Sequence, residues 1–254
     1  MATCGSASTW CWNASAERAA LRYNAPVPEQ DPVLDNVIWC ALSGHQAHCS
    51  VGTQEARRYA PGFSPIVAFA DYAQPRFDAL APYCEPGERF YCERWTGRAP
   101  KGFRVEVEST MVKMLWAGNA PTDDEASDAT ALGAEHRAHA LALAELTNPG
   151  PFGPRTIELG EYFGYFEKDR LVAMAGERMH AGRLRELSGV CTHPSARGRG
   201  LAYRLMRKLI WRELQRGEQP FLHVMSANVR ARELYRGMGF VEYLEGVVRV
   251  VSRV

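Results

Sequence analysis

The stretch Val190-Cys191-Thr192-His193-Pro194-Ser195-Ala196-Arg197-Gly198-Arg199-Gly200-Leu201-Ala202 decides how this chain folds. An apolar run precedes it, and Pro194 bounds that run. After it, Leu201, Leu205 and Leu209, with Ala202, Met206 and Ile210 beside them, recur at the spacing that lays one apolar stripe along a helix. The order is strand, glycine turn, helix. Gly198 and Gly200 let the backbone turn without a Cβ in the way. Their N–H groups, with those of the first helical turn, have no partner inside the helix and converge on one spot. The helix dipole favours an anion there. Arg197 and Arg199 add forked donors suited to phosphate oxygens. The turn lacks the Gly-Lys-Ser/Thr of a nucleotide-hydrolase loop and the third glycine of a dinucleotide fingerprint.

A second stretch sits one helix and one strand further on. Phe221-Leu222-His223-Val224-Met225 reads as a short buried strand. Asn228 to Tyr235 reads as a short helix, with Asn228 as its N-cap. Gly237 or Gly239 closes that helix, and Phe240 opens another strand. The spacing Arg-x-x-Gly-x-Ala at Arg197, Gly200 and Ala202, followed by Asn-x-x-Ala-x-x-x-Tyr-x-x-x-Gly-Phe from Asn228, resembles the two signatures of the GNAT superfamily of N-acyltransferases. The likeness extends, more weakly, back to about Asp123.

That resemblance implies an α/β (α+β) fold: a mixed, mostly antiparallel sheet with a central splayed parallel pair and helices on both faces. It implies acetyl-CoA or another acyl-CoA as donor, an amine as acceptor, direct transfer, and no metal. Carried over residue by residue, it puts Arg197, Gly198, Arg199, Gly200, Leu201 and Ala202 around the coenzyme's pyrophosphate. Backbone of Val190, Cys191 and Thr192 would meet the pantetheine, as would Asn228. Tyr235 matches the family tyrosine near the sulfur, where a neutral phenol donates a proton to the leaving thiolate. The base is left open among several groups. Glu186 lies on the strand entering the turn, and Glu161 borders the hairpin; both are named as candidates. Glu158, His180 and His193 are weaker ones. Cys191 reads as inert packing rather than an acyl carrier. A domain that senses acyl-CoA without turnover is the alternative, and the retained Tyr235 favours the enzyme.

Composition bounds the rest. The 254 residues carry a net charge of +1, which argues against a nucleic-acid surface. Seven cysteines are an odd set with irregular spacing. No leader and no membrane-spanning run is visible, so a cytoplasmic protein with reduced thiols is expected. Cys40, His45, His48 and Cys49 lie close together, but their spacing matches no common zinc site. A homodimer is allowed and nothing requires one.

Two portions are expected, 1–116 and 117–254. In the first, Ser15 to Tyr23 reads as a short helix, Val33 to Leu42 as helix or strand, Arg57 to Gly62 as a turn, Ser64 to Ala70 as a strand and Gln74 to Tyr83 as a helix. Arg89 to Glu93 and Phe103 to Trp116 read as extended. This smaller α/β half has no phosphate loop; it could be a degenerate copy in tandem with the second portion. In the second, Thr122 or Asp123 is expected to cap a helix running, with a break near Gly133, to Leu146. The run Asn148 to Pro154 is a stiff loop. A hairpin follows over Leu159 to Arg178, turning at Glu167 to Arg170, and Arg183 to Thr192 feeds the glycine turn.

Overall fold

The computed structural model describes residues 30–254; the helix read at Ser15 to Tyr23 lies outside them. In chain order the elements are α1 (Pro32–Asp35), α2 (Val37–Ser43), β1 (Ser50–Gly52), β2 (Ala56–Tyr59), β3 (Val67–Phe69), α3 (Phe77–Leu80), β4 (Arg89–Glu93), β5 (Phe103–Trp116) and β6 (Thr130–Ala131). Then come α4 (Arg137–Thr147), β7 (Tyr162–Glu167), β8 (Arg170–Ala181), β9 (Leu184–Thr192), α5 (Leu201–Gln215), β10 (Gln219–Met225), α6 (Val229–Met238) and β11 (Phe240–Arg253).

Eight strands form one sheet in the order β4-β11-β5-β10-β9-β8-β7-β6. Every neighbouring pair is antiparallel except β9 and β10. Those two are joined through α5, as a parallel pair needs a crossover. β1, β2 and β3 make a separate three-stranded sheet, which touches the large one by a bridge between Ile66 and Tyr91. The predicted mixed sheet with one central parallel pair is therefore the observed one.

α5 forms where its stripe predicts. Leu205, Met206, Leu209 and Ile210 are fully buried against Val112, Met114, Leu222 and Val224 on one face of the sheet. Each such side chain contributes about 1.5–3 kcal/mol. On the other face, Leu34, Val37, Ile38 and Tyr59 pack on Met179, Leu184 and Phe221. α2 thus settles the choice at Val33 to Leu42 in favour of helix. Buried polar groups fasten this layer to the sheet. Lys113 Nζ donates to Leu34 O at 2.8 Å and Asp35 O at 3.1 Å. Gln46 Nε2 donates to Arg178 O at 2.7 Å, and Tyr59 donates to Gln46 Oε1 at 2.7 Å.

Three local expectations are corrected. Arg57 to Tyr59 belong to β2 rather than to a turn. Only Phe77–Leu80 of the stretch from Gln74 is α-helical, followed by a 3-10 turn, Ala81–Tyr83. The helix expected from Thr122 starts at Arg137 instead. The reason is tertiary: residues 124–128 clamp α5, with Asp124 on Lys208 (2.5 Å), Glu125 on Arg207 (2.8 Å) and Asp128 on Arg204 (2.7 Å). Carboxylates held that way cannot also follow a helical path, and Thr130–Ala131 pairs with β7 instead.

Candidate active site

Parallel pairing between β9 and β10 covers only Leu184–Glu186 against Gln219–Phe221. Beyond Glu186 and Phe221 the two strands run on unpaired to each other, to Thr192 and Met225. The gap is helped by a bulge: β8 pairs Gly176 with Ser188 but Met174 with Cys191. Gly189 sits in it at φ 62°, where a Cβ would come within 3.0 Å of the Tyr162 ring. Bulges kink a strand and raise its twist, which turns Val190, Cys191 and Thr192 away from β10 with one backbone edge free.

A cavity of about 600 Å³ occupies this gap. Val190, Cys191, Thr192, Arg197, Asn228 and Tyr235 line it, as do Ile38, Tyr91, Glu93 and Val107 from the N-terminal portion. Arg197 carries the lining to the edge of the glycine turn, whose residues Gly198 to Ala202 lie outside it. Gly198 and Gly200 have φ 80° and 73°, and a Cβ on either would meet no atom within 4 Å. The first ladder bond of α5 runs from Arg204 N–H to Gly200 O. The N–H groups of Leu201 and Ala202 lie ahead of it and face the open space beside the glycines. Arg197 donates to Thr192 O at 3.4 Å, and Arg199 pairs with Glu167.

Asn228 caps α6, its Oδ1 accepting from Ala231 N–H at 3.2 Å. Tyr235 follows two turns on; its ring meets Phe240 edge-on. Among the described residues its hydroxyl has no hydrogen-bond partner. Burial pushes the phenol up to about 12, so it is protonated at neutral pH. Burial likewise pushes the Cys191 thiol up to about 11, which leaves it almost no thiolate.

Glu186 does not line the cavity but stands directly behind it. It is buried, and Arg178 grips it at both oxygens, Nη2 to Oε1 at 2.6 Å and Nε to Oε2 at 2.9 Å. Burial works to raise its pKa, but the Arg178 charge and the His223 hydrogen bond outweigh that and hold the carboxyl at about 2. His223 Nδ1 lies 2.7 Å from Glu186 Oε1. An ionised carboxylate only accepts, so Nδ1 carries a hydrogen, and the tautomer this selects has its lone pair on Nε2. That Nε2 is buried, borders the cavity and has no hydrogen-bond partner. Glu93 Oε2 is 3.7 Å away. Glu161 is placed elsewhere: it is paired with Arg212 and Arg216 at the far end of α5, at 2.5 and 2.7 Å, about 20 Å from the glycine turn at the helical rise. His180 stacks on His45. Among the described residues no group of three or more His, Cys, Asp or Glu is placed to hold a metal, and no helix is long and apolar enough to cross a membrane.

His223 and Glu93 were missed in the sequence. Their only signal was position: His223 opposes Lys113 in register, and Glu93 ends a strand that pairs with β11. Neither carries a spacing motif.

Comparison with known proteins agrees with this geometry. The FR47-like protein family matches residues 162–250. The crystal structure of a GNAT-family protein from Novosphingobium aromaticivorans is 34% identical, with a TM-score of 0.78; the match covers 88% of this chain and 100% of that one. GCN5-related N-acetyltransferase folds from Streptococcus suis (16% identical, TM-score 0.55, 86% and 92% covered) and Kribbella flavida (15%, 0.54, 86% and 95%) share the fold. No curated protein sequence matches the chain. The chain belongs to the GNAT family, and its class is acyltransferase.

Proposed function

We propose that the protein moves an acetyl or other short acyl group from acyl-CoA to a primary amine by direct attack. One observation supports it above the rest: the gap between β9 and β10 joins an anion-binding turn on one side to an unpaired, carboxylate-oriented His223 Nε2 on the other. In this reading the N–H groups and side chains of Arg197 to Ala202 hold the pyrophosphate. The free backbone edge of Val190, Cys191 and Thr192 pairs with the pantetheine amides, and Asn228 adds a polar contact. Residues 117–254 supply this donor half. Residues 1–116 supply the acceptor wall.

His223 is the general base in place of the two glutamates. Its Nε2 takes a proton from the amine as nitrogen attacks the thioester carbonyl. Glu186 acts through it, fixing the ring's tautomer and stabilising the imidazolium that forms. Collapse of the tetrahedral adduct breaks the carbon–sulfur bond, and Tyr235 donates its hydroxyl proton to the departing thiolate.

His223→Gln is expected to lower kcat about 100-fold, and Tyr235→Phe at least about tenfold, in a free-CoA release assay. Both should leave the calorimetric Kd for acetyl-CoA within about threefold, because neither group is asked to hold the coenzyme. Unchanged turnover in either variant contradicts its role. Acetyl-CoA that binds but is never turned over, with any amine, would support the sensor instead.

A further inference from the structure

Resting on that acyl-transfer reading, we propose that the acceptor is a primary amine on an apolar body with no carboxylate beside the nitrogen: an arylalkylamine or a similar amine, not a free amino acid. The acceptor side of the cavity is walled by Ile38, Ile66, Tyr91 and Val107, with Val248 and Val250 of β11. Such a surface binds hydrocarbon and offers a charged substituent nothing.

The polar groups at its floor are matched to an ammonium. Glu93 is nine-tenths buried, and its Oε1 makes no hydrogen bond. Lys113 Nζ stands 3.1 Å from that oxygen, in ion-pair contact but without hydrogen-bond geometry. Beside it is the unpaired His223 Nε2. Two acceptors therefore await a donor where the nitrogen must arrive. The ammonium sheds one proton to solvent on entry; Glu93 then accepts from the amine N–H and holds the nitrogen, and Nε2 takes the one proton released as that nitrogen attacks.

Of the cations that line the cavity, Arg197 sits at the glycine turn, where the coenzyme's pyrophosphate takes it in this reading, and those on the acceptor side are already paired. Arg178 is committed to Glu186 and donates to Pro151 O at 3.3 Å. Lys113 serves two backbone carbonyls and Glu93. Arg249 serves Glu108 and the carbonyls of Thr96 and Gly97. An α-carboxylate delivered with the amine would be desolvated beside Glu93 and Glu186 with no free countercharge, which is unfavourable. An amide or hydrogen at that carbon avoids the cost.

The test holds the body constant and changes only that substituent. With acetyl-CoA and the full chain, 2-phenylethylamine, L-phenylalanine amide and L-phenylalanine are compared by free-CoA release. The first two are expected to exceed L-phenylalanine in kcat/KM by at least about 100-fold. In Glu93→Gln, KM for 2-phenylethylamine should rise about tenfold with the acetyl-CoA Kd unchanged. L-Phenylalanine turned over as well as its amide, or a hydrophilic polyamine such as spermidine preferred to both apolar amines, overturns the assignment. So does refusal of all three while acetyl-CoA binds, which leaves the donor half of the reading standing. Failure of acetyl-CoA to bind overturns both.

Discussion

Glu186 looks in sequence like a strand carboxylate near a binding turn, and its neighbours change what it can do. A carboxyl held at about 2 cannot trade protons near neutral pH, so it orients rather than titrates. Its linkage to stability follows from the direction of that shift. The folded value lies below the ordinary glutamate value of 4.5, so the stabilisation is fully present above about 4.5 and is lost as pH falls through the folded value. Glu186→Gln orphans Arg178 and should cost about 3–5 kcal/mol at pH 7, read as a lower urea midpoint. The gap from wild type should narrow below about pH 4. An unchanged midpoint at pH 7 would contradict the buried ion pair. The local conformations at Gly198, Gly200 and Asn228, and the helix that carries Tyr235, were legible because each depends on neighbours within one or two turns. The His223–Glu186–Arg178 set was not. Its members lie on three strands, and register alone brings them together.

At the scale of elements, the turn into α5 is the most local and the most testable. Gly200 is the N-cap of α5 in a left-handed conformation, and the space a Cβ would enter is empty of protein. A side chain there therefore costs only the left-handed backbone, about 1–2 kcal/mol. It also projects into the open space beside the free N–H groups of the first turn, where the proposed reading puts the pyrophosphate. Gly200→Val should raise the calorimetric Kd for acetyl-CoA at least about tenfold while the protein still folds. Equal affinity would remove the turn from the binding site. The periodic stripe of α5 was readable for the same reason as the glycines. The helix expected from Thr122 failed because Lys208, Arg207 and Arg204, about 80 residues away, claim its first carboxylates. Local capping chemistry loses to such long-range pairing. The bulge at Gly189 was equally hidden, since a glycine in a strand does not announce on which side its partner shifts.

At the scale of the molecule, the sheet has two covered faces, and the gap between β9 and β10 opens between the layers on them. α5 and α6 lie on the first, and α1 and α2 on the second. The N-terminal layer is not a loose appendage: Tyr243 donates to Asp35 Oδ1 at 3.0 Å, and Asp31 N–H donates to Tyr243 at 2.8 Å, across more than 200 residues of chain. Covering the sheet with that layer walls the acceptor side and buries His223. The sequence pattern led to an expectation of two portions, with a strand, glycine turn and helix in the second. It could not show that β4 carries Glu93 to the floor of the first portion's own wall.

A crystal structure with acetyl-CoA tests all of this at once. The account predicts the pyrophosphate on the N–H groups from Gly198 to Ala202, the pantetheine along Val190 to Thr192, and the thioester between the Tyr235 hydroxyl and His223 Nε2. A coenzyme bound with that bend vacant, or with its thioester away from both side chains, would contradict it.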